Sequence, residues 1–183
     1  PQITSFGTQT AGLFFGGAIP PIPNDLTESY NGSSFSEVND LNTARRLMGG
    51  AGTSTAGLGI GGNVPAVTNV EQWNGSSSGG TTGSLTAVTE SWNGSAWTEV
   101  NDMNTARQIG GKAGASNTSA MVFGGIAPGD SALTETWNGT NWTEVADLNT
   151  ARSAGAGFGI TTSDAVMSGG ENPVTSNVET WNG

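Results

Sequence analysis

Carboxylates and guanidinium groups recur along this chain at fixed intervals. Glu28, Glu71, Glu90, Glu135 and Glu179 share one recurrent position; Glu37, Glu99 and Glu144 share a second; Asp40, Asp102 and Asp147 share a third, together 11 of the 15 acids. Arg45, Arg107 and Arg152 recur with them. Paired carboxylates can do acid/base work on glycosidic bonds, and clustered arginines can clamp an anionic sugar. A catalytic pair, however, is unique in a chain, whereas these groups are copied from unit to unit. The expectation is structural: ion pairs between repeat arginines and repeat glutamates, or glutamates bonded to loop amides.

The absent residue types narrow the chemistry further. The chain has no histidine and no cysteine, and Lys112 is its only lysine. The commonest general base near neutral pH is therefore missing. Thiol nucleophiles, disulfides and thiolate metal sites are missing too, and a Ser-His-Asp arrangement cannot be built. No cofactor is expected. The one metal candidate is calcium, at the Asn-Asp-x-Asn stretches 39–42 and 101–104. These are shorter than a calcium-binding hand and lack its glycine and closing glutamate, so Asx turns are the expected role. The glycine doublets are not followed by Gly-Lys-Ser and open no helix, which argues against phosphate cradles. A net charge of −10 repels phosphate backbones and anionic membrane surfaces, so nucleic acid is excluded as a partner. No apolar run approaches the length of a spanning helix, which excludes membrane insertion of that kind. The first residues, Pro1-Gln2-Ile3-Thr4, carry neither a basic region nor a long apolar run.

What positions the recurrent groups is a tandem repeat. A Glu-x-Trp-Asn-Gly phrase or its variant ends at Gly32, Gly75, Gly94, Gly139 and Gly183. A second phrase runs from Phe35 to Arg45, from Trp97 to Arg107 and from Trp142 to Arg152. Short apolar strands end in glycine doublets at Gly16-Gly17, Gly61-Gly62, Gly79-Gly80, Gly124-Gly125 and Gly169-Gly170. The doublets step by 45 residues except from Gly61 to Gly79, where the step is 18. Near residues 75–78, then, either a deletion has removed strands or a stretch is omitted. Unpaired edges inside a sheet are costly, which favours the omission. Asn-Gly between two alternating segments is a strong hairpin signal. Trp92 and Trp97, and Trp137 and Trp142, flank such turns and should face each other. The reading is an all-β, single repeat domain over 1–183, with four-stranded units of about 44 residues. Their approximate bounds are 1–40, 41–75, a truncated 76–101, 102–146, and 147–183 lacking its last strand, which reads as a fragment of something longer. Four to five radially stacked blades, one incomplete, would bury both faces of each sheet.

These units resemble kelch repeats. Met121-Val122-Phe123-Gly124-Gly125 matches the strand and doublet, Trp137 and Trp142 take the two aromatic positions, and Arg152 takes the basic position. The departure is Trp-Asn-Gly where kelch units commonly have a tyrosine and a different turn. The resemblance implies a β-propeller. Copper-using kelch-type oxidases need tyrosine, histidine and cysteine ligands, and this chain offers only Tyr30. The Trp-Asn-Gly-Ser/Thr-x-Trp-Thr-Glu-Val form resembles repeats in virion proteins of aquatic bacteriophages, tail fibre-like, and in bacterial surface proteins.

A binding or structural module, not an enzyme, follows as the functional expectation. Trp73, Trp92, Trp97, Trp137, Trp142 and Trp181 are expected as blade core, with sugar stacking the alternative. The segments after the glycine doublets differ between copies and should gather on one rim, placing Asn24, Asp25, Asn63, Asp130, Glu171 and Asn172 at a ligand. Asn31, Asn74, Asn93, Asn117, Asn138 and Asn141 satisfy the glycosylation sequon. The expected setting is extracellular or virion, with a surface glycan or receptor, or other structural proteins, as partner. Two alternatives stay open: a filament subunit assembled by strand or blade complementation, and a kelch-type adaptor for a protein partner.

Overall fold

The computed structural model describes residues 3–19, 22–64, 85–171 and 174–183. Among these the chain is all strand and loop, with no helix. Four small antiparallel sheets are arranged as a β-propeller.

The first blade is formed by β1 (Thr4–Thr8) and β2 (Ala11–Phe15), then, past the small hairpin β3 (Ala18–Ile19) and β4 (Ile22–Pro23), by β5 (Thr27–Tyr30) and β6 (Phe35–Glu37). The second consists of β7 (Gly49–Thr53), β8 (Ala56–Ile60), β9 (Thr89–Trp92) and β10 (Trp97–Val100). In the third, β11 (Gly111–Ser116) and β12 (Ser119–Phe123) precede the hairpin β13 (Ile126–Ala127) and β14 (Gly129–Asp130), and β15 (Thr134–Trp137) and β16 (Trp142–Val145) complete it. The fourth has three strands, β17 (Ala156–Thr161), β18 (Asp164–Ser168) and β19 (Val178–Trp181). The described parts of the sequence units 41–75 and 76–101 thus join in one sheet, because β8 pairs with β9 from Gly57–Trp92 to Ile60–Thr89. The 75–78 junction and the doublet Gly79-Gly80 lie outside the described residues.

Local chemistry explains the hairpins. In three Asn-Gly turns the asparagine Oδ1 accepts from two backbone N–H groups: Ser33 and Ser34 at Asn31, Ser95 and Ala96 at Asn93, Thr140 and Asn141 at Asn138. The following glycine takes φ near +90° (93° at Gly32, 98° at Gly94, 93° at Gly139), where a side chain would be strained. Trp92 pairs with Trp97 and Trp137 with Trp142, with ring centroids 5.5 and 5.4 Å apart. The first tryptophan of each pair caps the β1–β2 type turn of its own blade: Trp92 Nε1 donates to the Ser54 carbonyl and Trp137 Nε1 to the Asn117 carbonyl.

The second tryptophan joins neighbouring blades. Trp97 Nε1 donates to Thr27 Oγ1 of the first blade at 3.2 Å, and its ring packs on Phe15 at 4.9 Å. Trp142 Nε1 donates to Thr89 Oγ1 of the second blade at 3.1 Å, and its ring sits among Leu58, Ile60, Met103, Ala120, Val122 and Trp137. The innermost strands then pack in order: β1 on β7, β7 on β11, β11 on β17. Small residues permit that approach; a Cβ at Gly157 would come 2.3 Å from the Lys112 backbone nitrogen.

The repeat arginines close the second, third and fourth blades. Arg45 Nη2 meets Glu90 Oε1 at 2.9 Å while its Nη1 donates to the Val88 and Gly61 carbonyls. Arg107 pairs with Glu135 and donates to the Leu133 carbonyl, and Arg152 Nη2 lies 2.7 Å from Glu179 Oε1. The other glutamate oxygen takes the link between blades: Glu90 Oε2 accepts from the backbone and side-chain amides of Asn42, and Glu135 Oε2 from those of Asn104. The carbonyls of the same arginines accept from the N–H groups of the doublet glycines, Arg45 from Gly17, Arg107 from Gly62 and Arg152 from Gly125. A Cβ on Gly124 would come 2.6 Å from the Arg152 oxygen, so the doublets are needed where the link crosses the strand end.

Removing one partner of such a buried pair strands the other charge. Glu135→Ala should lower stability by about 3–5 kcal/mol in urea unfolding. Replacing Arg107 and Glu135 together by methionine should cost less than the sum of the single changes. Strict additivity in that cycle would show that the two groups are not coupled.

Candidate functional site

Because each blade is antiparallel throughout, the links entering a first strand emerge on the same face as the loops leaving a second strand. The Asn-Gly turns emerge on the opposite face. The described parts of the loops after the doublets therefore lie on one face.

On that face the β3–β4 hairpin holds Ile19 and Ile22 out in solvent, 70% and 66% exposed. Asn24 is half-buried; its N–H donates to the Gly17 carbonyl, its carbonyl accepts from Arg45, and its Oδ1 has no partner. Half-buried Asp25 offers its carbonyl to Leu41 N–H. In the third blade Asp130 closes the β13–β14 hairpin opposite Ile126, half-buried. In the fourth, Glu171 is exposed and bridges Ser153 through its backbone. Asn63 is different: it is 5% exposed, exchanges backbone hydrogen bonds with Arg46, and its Oδ1 accepts from Arg46 Nε at 3.3 Å. It organises the link rather than facing outward. Asn172 lies outside the described residues.

The same face opens on a cavity of about 300 Å³ at the centre of the blades, lined by Ile3, Thr4, Leu47, Met48, Ile109, Gly110, Lys112, Ala154 and Gly155. Leu47, Ile109 and Ala154 hold the same place in successive links, with φ of 56°, 56° and 55°. Left-handed backbone is costly outside glycine, most of all for β-branched isoleucine. Hydrogen bonds between links hold it there: Ile109 N–H donates to the Leu47 carbonyl at 3.4 Å and Ala154 N–H to the Ile109 carbonyl at 3.1 Å.

Lys112 is the charged group of this cavity. Its equivalents are Ser5, Gly50 and Gly157, so it replaces a small residue of the repeat. It has no acidic partner among the described residues, and burial pulls its ammonium below the usual lysine range. Composition marked it as the only lysine without giving it a place. Its departure from the small residues of the other copies was the available signal. The arginines offer no comparable handle: Arg45, Arg107 and Arg152 are buried in their pairs. Burial pulls Arg45 below its usual value, opposed by Glu90.

The remaining sequence candidates are structural in placement. Trp92, Trp97, Trp137 and Trp142 are buried, Trp181 is half-buried with its Nε1 on the Thr162 carbonyl, and Trp73 lies outside the described residues. Asp40, Asp102 and Asp147 each accept from the first amide of a third strand, at Thr27, Thr89 and Thr134. No group of three or more acids suited to a metal occurs among the described residues. Asn31, Asn93, Asn138 and Asn141 are exposed at turns, Asn117 is half-buried with its Nδ2 on Ser91 Oγ, and Asn74 lies outside the described residues.

No family model matches the chain, and no curated protein matches it. Among solved structures, that of a protein named YjhT is similar over 98% of this chain and 68% of its own, with a TM-score of 0.72 and 13% identity. At that identity the likeness is one of fold.

The placement of Lys112 sets a pH dependence. Burial disfavours its charged form, so the folded chain releases this proton at lower pH than the unfolded chain. Between those two pH values the unfolded chain binds more protons, and stability rises with pH. Lys112→Met should therefore raise the melting temperature at pH 7, with the gain shrinking as pH nears the unfolded lysine value of about 10.4. Thermal melts from neutral to alkaline pH check this; an unchanged melting temperature at pH 7 would contradict it.

Proposed function

We infer that the chain is a non-enzymatic binding module of kelch-like type, which displays its divergent loop face to a surface receptor or glycan in an extracellular or virion setting. The observation that carries this reading is the separation of roles between copies. Repeated glutamates, arginines and tryptophans are consumed in holding the blades, while the segments that differ open on one face around the axial cavity. Ile19 and Ile22 supply apolar contact there, and Asp130 and Glu171 supply acceptors for hydroxyl groups. Lys112 adds one cation at the base, so a ligand carrying an anionic group is the best complement. A chain of net charge −10 keeps other acidic polymers at a distance. No cofactor enters this reading.

A glycan array and a receptor panel, each probed with the labelled chain, test it. Ile22→Asp and Asp130→Ala should each weaken a hit several-fold, and Lys112→Met should abolish preference for anionic ligands. Ser95→Ala, on the opposite face, should leave binding unchanged. Equal effects from both faces would overturn the reading.

A further inference from the structure

The links between blades pass the axis with the same backbone turn. Leu47, Ile109 and Ala154 have φ of 56°, 56° and 55°. Ile109 N–H donates to the Leu47 carbonyl, and Ala154 N–H to the Ile109 carbonyl. Hydrogen bonds from link to link therefore set this wall of the axial cavity in advance of any ligand. The wall is largely apolar: Ile3, Leu47, Met48, Ile109 and Ala154 contribute to it, and Thr4 Oγ1 is spent on the Met48 carbonyl.

Lys112 is the one charged residue in the lining. It stands on β11, which β7 flanks on one side and β17 on the other, so described strands form its setting on both sides. Of the strands packed against β11 (β7, β8, β12, β17 and β18), only β18 carries a titratable residue, Asp164, which faces Thr161 at the β17–β18 turn. Arg45, Arg107 and Arg152 are held by their glutamates, and Arg46 is engaged with Asn63. Lys112 is therefore the base left without a counter-group among the described residues, and burial alone pulls its ammonium below the usual lysine range.

A preformed apolar wall beside one ammonium complements a single anionic head with an apolar body. The head can accept the ammonium N–H groups where low dielectric strengthens such bonds. The body can leave water against the wall. A polyanion gains less, because one amine meets one charge while a net charge of −10 repels the rest.

We propose that the axial cavity binds a monoanion with an apolar body, such as an aliphatic carboxylate, its head on Lys112 Nζ and its chain against Leu47 and Ile109. This deepens the loop-face reading by naming the class of anion, and it rests on that reading only for the face from which the ligand enters. Anion and ammonium stabilise each other, so the bound ligand raises the lysine pKa. Binding then takes up protons as pH nears the lowered value of the free chain, and affinity falls as pH rises through it.

Calorimetric titration of the purified chain with octanoate tests this. Saturable binding at one site is expected at pH 7, weakened about tenfold or more by Lys112→Met, or when octanol replaces octanoate. Inorganic phosphate, which has charge and no apolar body, should bind no better than octanol. Ile109→Gly, whose backbone accepts a φ of 56° freely, should weaken octanoate several-fold while the melting temperature holds or rises. At alkaline pH the heat should vary with the ionisation enthalpy of the buffer in the unaltered chain and not in Lys112→Met. Absence of saturable binding, or equal affinity for octanol or of Lys112→Met, overturns the proposal. The loop-face reading fails separately, because its array and panel turn on Ile22 and Asp130: no hit there, with octanoate bound as expected, leaves this proposal standing.

Discussion

The buried arginine–glutamate clamp is the constraint on which the rest of this fold depends. A charged pair out of water stabilises little by itself, because desolvation offsets most of the attraction. Its value here is geometric. Each glutamate spends one oxygen on the arginine and the other on the link asparagine, while the arginine carbonyl receives a doublet glycine of the preceding blade. One ion pair therefore ties a third strand, an interblade link and a neighbouring strand end together. A glycine-rich chain with small cores gains its definition from such satisfied polar networks. The second tryptophan adds the apolar half of the same joint.

Much of this was legible in the residues because it is local and copied. Asn-Gly between alternating segments gave the hairpins, and the facing tryptophans followed from turn length. The ion pairs were expected from the regular spacing of Arg107 and Glu135. Other features lay beyond pattern reading. Leu47, Ile109 and Ala154 adopt a backbone conformation that their own preferences oppose, held by neighbours distant in sequence. Asn63 read as a rim residue because it follows a doublet, but the link Arg46 draws it inward. The joining of 49–60 with 89–100 in one sheet is a long-range pairing that no local signal between them sets.

The fourth blade shows how far each joint relies on its neighbour. Phe158 and Ile160 of β17 are 56% and 75% exposed, while Ala113, the equivalent of Phe158, is 4% exposed under the following blade. Stability in such an array is a sum of unit and nearest-neighbour terms. The close approach of β17 to β11 covers Ala113 and is one such nearest-neighbour term.

This arrangement also separates the freedom to bind from the need to fold. Residues at clamp, socket and doublet positions answer to contacts on two blades, so a change at any of them is felt across a joint. The loops between second and third strands answer mainly to their own hairpins. Lys112 stands between these classes: it occupies an innermost-strand position where other copies carry serine or glycine, and its burial works against stability. The innermost strands thus carry a small residue at this position in three blades and a charged one in the third.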